Sequence, residues 1–148
     1  MIDPAYAVQA LIHHRLTNSP TVADLVPAEN ISDVSDRPRV FPSIIVGEGT
    51  ARYANNHDTF HEQVTTQVHI WTEGDDLVDV KLIAGAVRLA LREAPWSTGG
   101  HVCHGITVSK GAFMRDPGGK HGHGILYIDA TLQERDEVPD AAYGETFP

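Results

Sequence analysis

Cysteine, basic side chains and long apolar runs are the scarce features of this 148-residue chain. Its one cysteine, Cys103, cannot close a disulfide within the chain, which excludes a bridge-stapled secreted scaffold. No stretch approaches the roughly 20 apolar residues that cross a bilayer. Met1-Ile2-Asp3-Pro4 also lacks the basic-then-apolar pattern of a signal peptide. The expectation is a chain folded in a reducing cytoplasm with no membrane partner. Eleven Lys and Arg stand against twenty Asp and Glu, a formal charge of −9. Affinity for nucleic acid comes mainly from basic groups that release counterions, so tight binding along phosphate backbones is not expected.

The charge is uneven. Asp136, Glu137, Asp140 and Glu145 fall in the last thirteen residues, which hold no Lys or Arg, leaving sixteen acids against eleven bases in the body. A length near 150 suits one domain that buries about 70% of its unfolded surface. The reading is therefore a single domain over residues 1–135 and an acidic tail over 136–148.

Hydrophobic periodicity orders the segments. Asp3-Pro4 supplies a cap and a first-turn proline for a helix carrying Val8, Leu11, Ile12 and Leu16 on one face. Ser19-Pro20 starts a short second helix, and the stretch from Pro27 to Pro42 crosses toward a sheet, with at most a short strand near Ile31. Residues 43–48 form a β-branched strand. Residues 62–72 alternate Val64, Thr66, Val68 and Ile70 against Gln63, Thr65, Gln67, His69 and Trp71, a half-buried strand. Glu73-Gly74-Asp75-Asp76 opens an amphipathic helix whose stripe is Leu77, Val80, Ile83, Ala84, Val87 and Leu91, stopped by Pro95. Strands follow near Val102–Val108 and over Ile125–Glu134. The order predicts an α+β fold: an antiparallel or mixed sheet of about four strands with helices packed on one face.

The nine histidines raise metal chemistry first. Imidazole and thiolate in His101-x-Cys103-His104, with His121-x-His123 downstream, suit zinc or iron. Strand alternation, however, puts His101 and Cys103 on one face and His104 on the other. The acid that would complete a cupin-like His-x-His is replaced by Ile125, Leu126, Tyr127 and Ile128. No Gly-x-Ser-x-Gly elbow occurs, and Gly118-Gly119-Lys120 lacks the rest of a phosphate loop. Catalytic residues, cofactor and metal are all expected to be absent.

Two polar stretches, Gly49–His61 and Lys110–Gly124, read as projecting loops that suit contacts with other chains. The assembly candidates are Arg52, Tyr53, His57, Lys110, Phe113, Arg115 and Lys120, together with a sheet edge.

The run of segments "SPTVADLVPAENISDV", "PRVFPSIIVGEGT", "TTQVHIWTEGDD", "VKLIAGAVRLAL" and "HGILYIDATLQER" resembles the small tail-completion or tail-terminator proteins of tailed bacteriophages, prophages and gene transfer agents. Its most specific pieces are Phe41-Pro42-Ser43 leading to Gly47-Glu48, and His69-Ile70-Trp71 before the helix. The match spans roughly residues 5–135. The resemblance implies a non-enzymatic virion protein assembled in the bacterial cytoplasm and placed at the head-proximal end of the tail. It implies a ring, usually a hexamer, joining the tail tube protein to the head–tail connector or stopper protein, with DNA passing through the channel. An acidic body repels DNA phosphates and would let DNA slide without sticking. A connector or stopper of the same particle, or a small histidine-based metal-binding protein, stands as the alternative.

Overall fold

The computed structural model describes residues 2–33, 38–54, 61–92, 96–98 and 100–134. His57 and the acidic tail lie outside the described residues. Helix α1 spans Pro4–Thr17 and begins where the Asp3 side chain accepts from the Ala5 amide at 2.8 Å. That contact satisfies a donor the first helical turn leaves orphaned. A one-turn helix α2, Pro20–Ala23, is capped in the same way by Ser19. A 3-10 turn over Ala28–Asn30 then leads into β1, Ile31–Ser32.

Four long strands form the body: β2 (Ser43–Arg52), β3 (His61–Glu73), β5 (His101–Arg115) and β6 (His121–Glu134). Helix α3, Val78–Ala90, and the short β4, Trp96–Thr98, lie between β3 and β5. The sheet runs β1-β2-β3-β6-β5-β4, antiparallel except for the β1–β2 pair. The expected α+β class, the four principal strands and the short strand near Ile31 are therefore observed, with β4 added at the other edge.

The period-two reading of β3 holds residue by residue: Val64, Thr66, Val68 and Ile70 are buried while Gln63, Thr65, Gln67, His69 and Trp71 are not. Along β6, Leu126, Ile128, Ala130 and Leu132 point the same way. Helices α1 and α3 cover this face with Val8, Leu11, Ile12, Leu16, Val80, Ile83 and Val87, closing one core. Each such side chain contributes about 1.5–3 kcal/mol on burial, an upper estimate. No described helix is long and apolar enough to cross a membrane.

Two boundaries differ from expectation. Glu73 closes β3 instead of opening the helix, because Gly74 turns the chain at φ 87°. The helix begins at Val78, whose amide donates to Asp76 at 2.6 Å. Most described residues of the two expected loops are strand. Gly49–Arg52 belong to β2, and Lys110–Arg115 and His121–Gly124 belong to the β5–β6 hairpin, which turns only over residues 116–120.

Candidate assembly surface

The hairpin tip is anchored. Inside the turn, Asp116 donates its amide to the His121 carbonyl at 2.8 Å, and Gly119, at φ 70°, donates to the Asp116 carbonyl at 2.6 Å. Two further bonds fasten the tip to the turn between β3 and α3. Arg115 Nε donates to the Asp75 carbonyl at 2.6 Å, and the Gly74 amide donates to the Lys120 carbonyl at 2.8 Å. Two glycines in the expected second loop, Gly122 and Gly124, serve packing. A Cβ on Gly122 would lie 2.6 Å from Thr72 Oγ1 and 2.7 Å from Val80 Cγ2. One on Gly124 would lie 2.6 Å from Val80 Cγ1. These glycines let α3 sit directly on β6.

The sequence candidates do not converge on one patch. Arg52 pairs with Gln63 of β3, whereas Arg115 pairs with Gly122, which pairs with Thr72. Nine residues of register separate them, about 30 Å. Tyr53 is exposed and donates its hydroxyl to Asp3 at 2.8 Å, tying the end of β2 to the cap of α1. That hydrogen bond, then the nearby carboxylate charge, holds its phenol above the ordinary value. Lys110 Nζ lies over the Tyr127 ring at 5.4 Å. Phe113 packs against the core, with Lys81 Nζ 5.9 Å above it. Lys120 is exposed in the turn. These residues thus mark two opposite ends of the sheet and its middle.

On the sheet face away from α1 and α3, an aromatic and imidazole strip emerges that sequence reading did not assemble. Phe41 stacks on His121 at 4.3 Å between centroids, and Trp71 stacks on His123 at 3.9 Å. His123 Nε2 meets His69 Nδ1 at 2.9 Å. Burial lowers the pKa of both His69 and His123; for His123 the neighbouring His69 lowers it further. Weaker opposing pulls come from Glu48 on His69 and Asp116 on His123. The signal for this strip is the shared outward parity of His69 and Trp71, which becomes informative only once β6 is known to be the neighbour.

A second pairing lies on the core face. Glu62 and His101 are both buried, with Oε1 and Nδ1 3.3 Å apart. His101 Nε2 donates to the Ile2 carbonyl at 2.7 Å, so Nδ1 is the atom left to face the acid. Nδ1 and Oε1 are in charge-pair proximity without a well-aligned hydrogen bond. Burial raises the Glu62 pKa, Glu134 adds to the rise, and His101 opposes it. An acid at an inward parity position of β3 was the sequence signal for this pair.

The structure separates the cysteine–histidine set. His101 pairs with Glu134 in register and His121 with Glu73, at opposite ends of β6 and about 40 Å apart. Buried Cys103 donates its thiol to the Gly105 carbonyl, and burial raises that thiol to about 11. His104 contacts Gln133 at 2.8 Å. Among the described residues, no three His, Cys, Asp or Glu side chains are grouped to hold a metal ion.

A six-stranded sheet with α1 and α3 on one face and a long anchored hairpin is an α+β fold that two solved structures share. A chain of the virion of a native gene transfer agent particle superimposes with a TM-score of 0.76 at 17% identity, covering 89% of this chain and 99% of that one. The gp17 protein of bacteriophage SPP1 matches with a TM-score of 0.54 at 17% identity, covering 91% of this chain and 94% of that one. No individual characterised protein matches the chain by sequence. The sequence profile of the family described as "Tail completion protein gp17" matches residues 10–133. The chain belongs to this tail completion family and is a structural component of a phage-type virion tail.

Proposed function

We propose that the chain builds a ring, six subunits around, that closes the head-proximal end of the tail tube. Its opposite side receives the head–tail connector or stopper protein, and DNA passes through the opening. The family match over residues 10–133 carries this reading, supported by a fold shared with a gene transfer agent virion chain. No catalytic role is assigned: in the buried Glu62–His101 pair, His101 Nε2 is engaged by the Ile2 carbonyl. Residues 1–135 act as the folded subunit, with the acidic residues of 136–148 appended.

The net −5 of the body supports a channel that DNA traverses without adhering, since like charge raises the free energy of phosphate contact. Cryo-electron microscopy of purified particles tests the whole reading. Six-fold density for this chain between tube and connector is expected. Density confined to the connector would assign the chain to a stopper position, and absence of a ring would overturn the proposal.

A further inference from the structure

Both sides of the sheet end in strands that are only partly covered. Strand β1 pairs with β2 at Ile44 and Ile45 alone, and β4 pairs with β5 only from His101 to Cys103. Among the described residues, no strand lies outside Gly49–Arg52 of β2 or outside Gly105–Val108 of β5. Exposed backbone donors and acceptors on such edges are templates for pairing with another chain.

The two edges match in height. Arg52, Ala51, Thr50 and Gly49 pair with Gln63, Val64, Thr65 and Thr66 of β3. Those residues pair with Thr131, Ala130, Asp129 and Ile128 of β6, which pair in turn with Gly105, Ile106, Thr107 and Val108. Both edges therefore lie at the same level of the sheet, one on each side. They are also of opposite polarity, because three antiparallel pairings separate β2 from β5. Each is a four-residue run: Gly49–Arg52 follows the register shift between Val46 and Gly49 and ends β2, and Gly105–Val108 lies between the shifts at Cys103/Gly105 and Val108/Lys110.

We propose that subunits join by antiparallel pairing of the Gly49–Arg52 edge of one copy with the Gly105–Val108 edge of the next. The occupant is a second copy of this chain, and the inference rests on the ring reading above. Continuing the sheet at one level sets Ile106 opposite Ala51 and Thr107 opposite Thr50. Ile106 and Ala51 both pack toward the core on the helix side, so apolar meets apolar there. Thr107 and Thr50 are exposed on the other face, so hydroxyl meets hydroxyl. Size also alternates. Val108 faces Gly49, and Arg52 faces Gly105, which has open space where a Cβ would stand. Because the two edges differ, the contact is head-to-tail, the kind that generates rings when the rotation closes.

The test is a Thr50→Cys/Thr107→Cys double variant in assembled particles, run on non-reducing gels. Buried Cys103 stays out of the reaction because its thiol is raised to about 11. The double variant is expected to give a covalent ladder ending at ring size, and each single variant to run as monomer. Dimers from Thr107→Cys alone would show two β5 edges meeting and overturn the proposal. Six-fold rings in micrographs with no ladder would overturn the pairing and leave the ring standing, whereas particles without rings would overturn the ring reading and the pairing together. Hydrogen exchange on the unmodified chain supplies a check free of substitutions. About half the amides of 49–52 and 105–108 are expected to slow at least tenfold on assembly, and unchanged exchange there would overturn the pairing.

Discussion

His69 and His123 meet edge to edge: their nitrogens are 2.9 Å apart, their centroids 5.2 Å and their planes 20° from parallel. One ring donates an N–H and the other accepts with a lone pair, so both can be neutral but both cannot carry two protons without losing the bond. Folding favours the neutral rings, since burial lowers both pKa values.

The sign of the pH dependence follows. The unfolded rings bind protons more readily, so their contribution is fully present above about 6.5, the ordinary imidazole value. It is lost as pH falls below that value toward the lower folded pKa. Urea midpoints measured from pH 7.5 to 5 should fall for the native chain. A His69→Gln/His123→Gln variant should show a shallower decline over the same range. An equal decline in both chains would sink the assignment.

Gly122 and Gly124 predict a contrast with Gly85. An alanine at either sheet position drives a methyl into Val80, and overpacking of this kind costs about 1–3 kcal/mol. Gly85 lies inside α3 with open space around its would-be Cβ, so Gly85→Ala should stabilise by about 1 kcal/mol. Equilibrium unfolding of the three variants reads both signs in one series.

Those same glycines explain where sequence reading fell short. Alternation along β3 and the Val80–Leu91 stripe depend on local periodicity, and both are read from the chain alone. Gly122 and Gly124 depend on α3 pressing against β6, a contact between distant segments that no local pattern encodes. Sequence alone therefore reads them, with Lys110–Arg115, as part of one polar loop. The separation of Arg52 and Arg115 was hidden for a related reason: residue type marks both as exposed, but only the strand register places them about 30 Å apart.

Removing one member of the Glu62–His101 pair should be severe. Glu62→Ala leaves His101 Nδ1 facing an apolar void, and loss of one partner from a buried pair costs about 3–5 kcal/mol. Replacing both by apolar residues of similar volume, Glu62→Met with His101→Phe, should recover much of that loss. A double-mutant cycle in guanidinium chloride checks the coupling, and additive losses would count against it.

Asp3 serves two partners, the Ala5 amide and the Tyr53 hydroxyl. Asp3→Ala should cost about 1 kcal/mol through loss of the α1 cap. It should also bring the Tyr53 titration down toward the ordinary phenol value. Ultraviolet pH titration of the native and variant chains gives the difference, and an unmoved Tyr53 would remove Asp3 as the cause.

The anchored tip of the β5–β6 hairpin has a mechanical consequence. A pull directed along the strands would load the ladder from His101 to Arg115 in shear, so many bonds must fail together. Unzipping from the turn, the weaker route, is opposed by the grips of Arg115 on Asp75 and Lys120 on Gly74. The hairpin is in this sense a lashed beam: stiff along its length, with its free end tied to the β3–α3 turn so that it cannot peel.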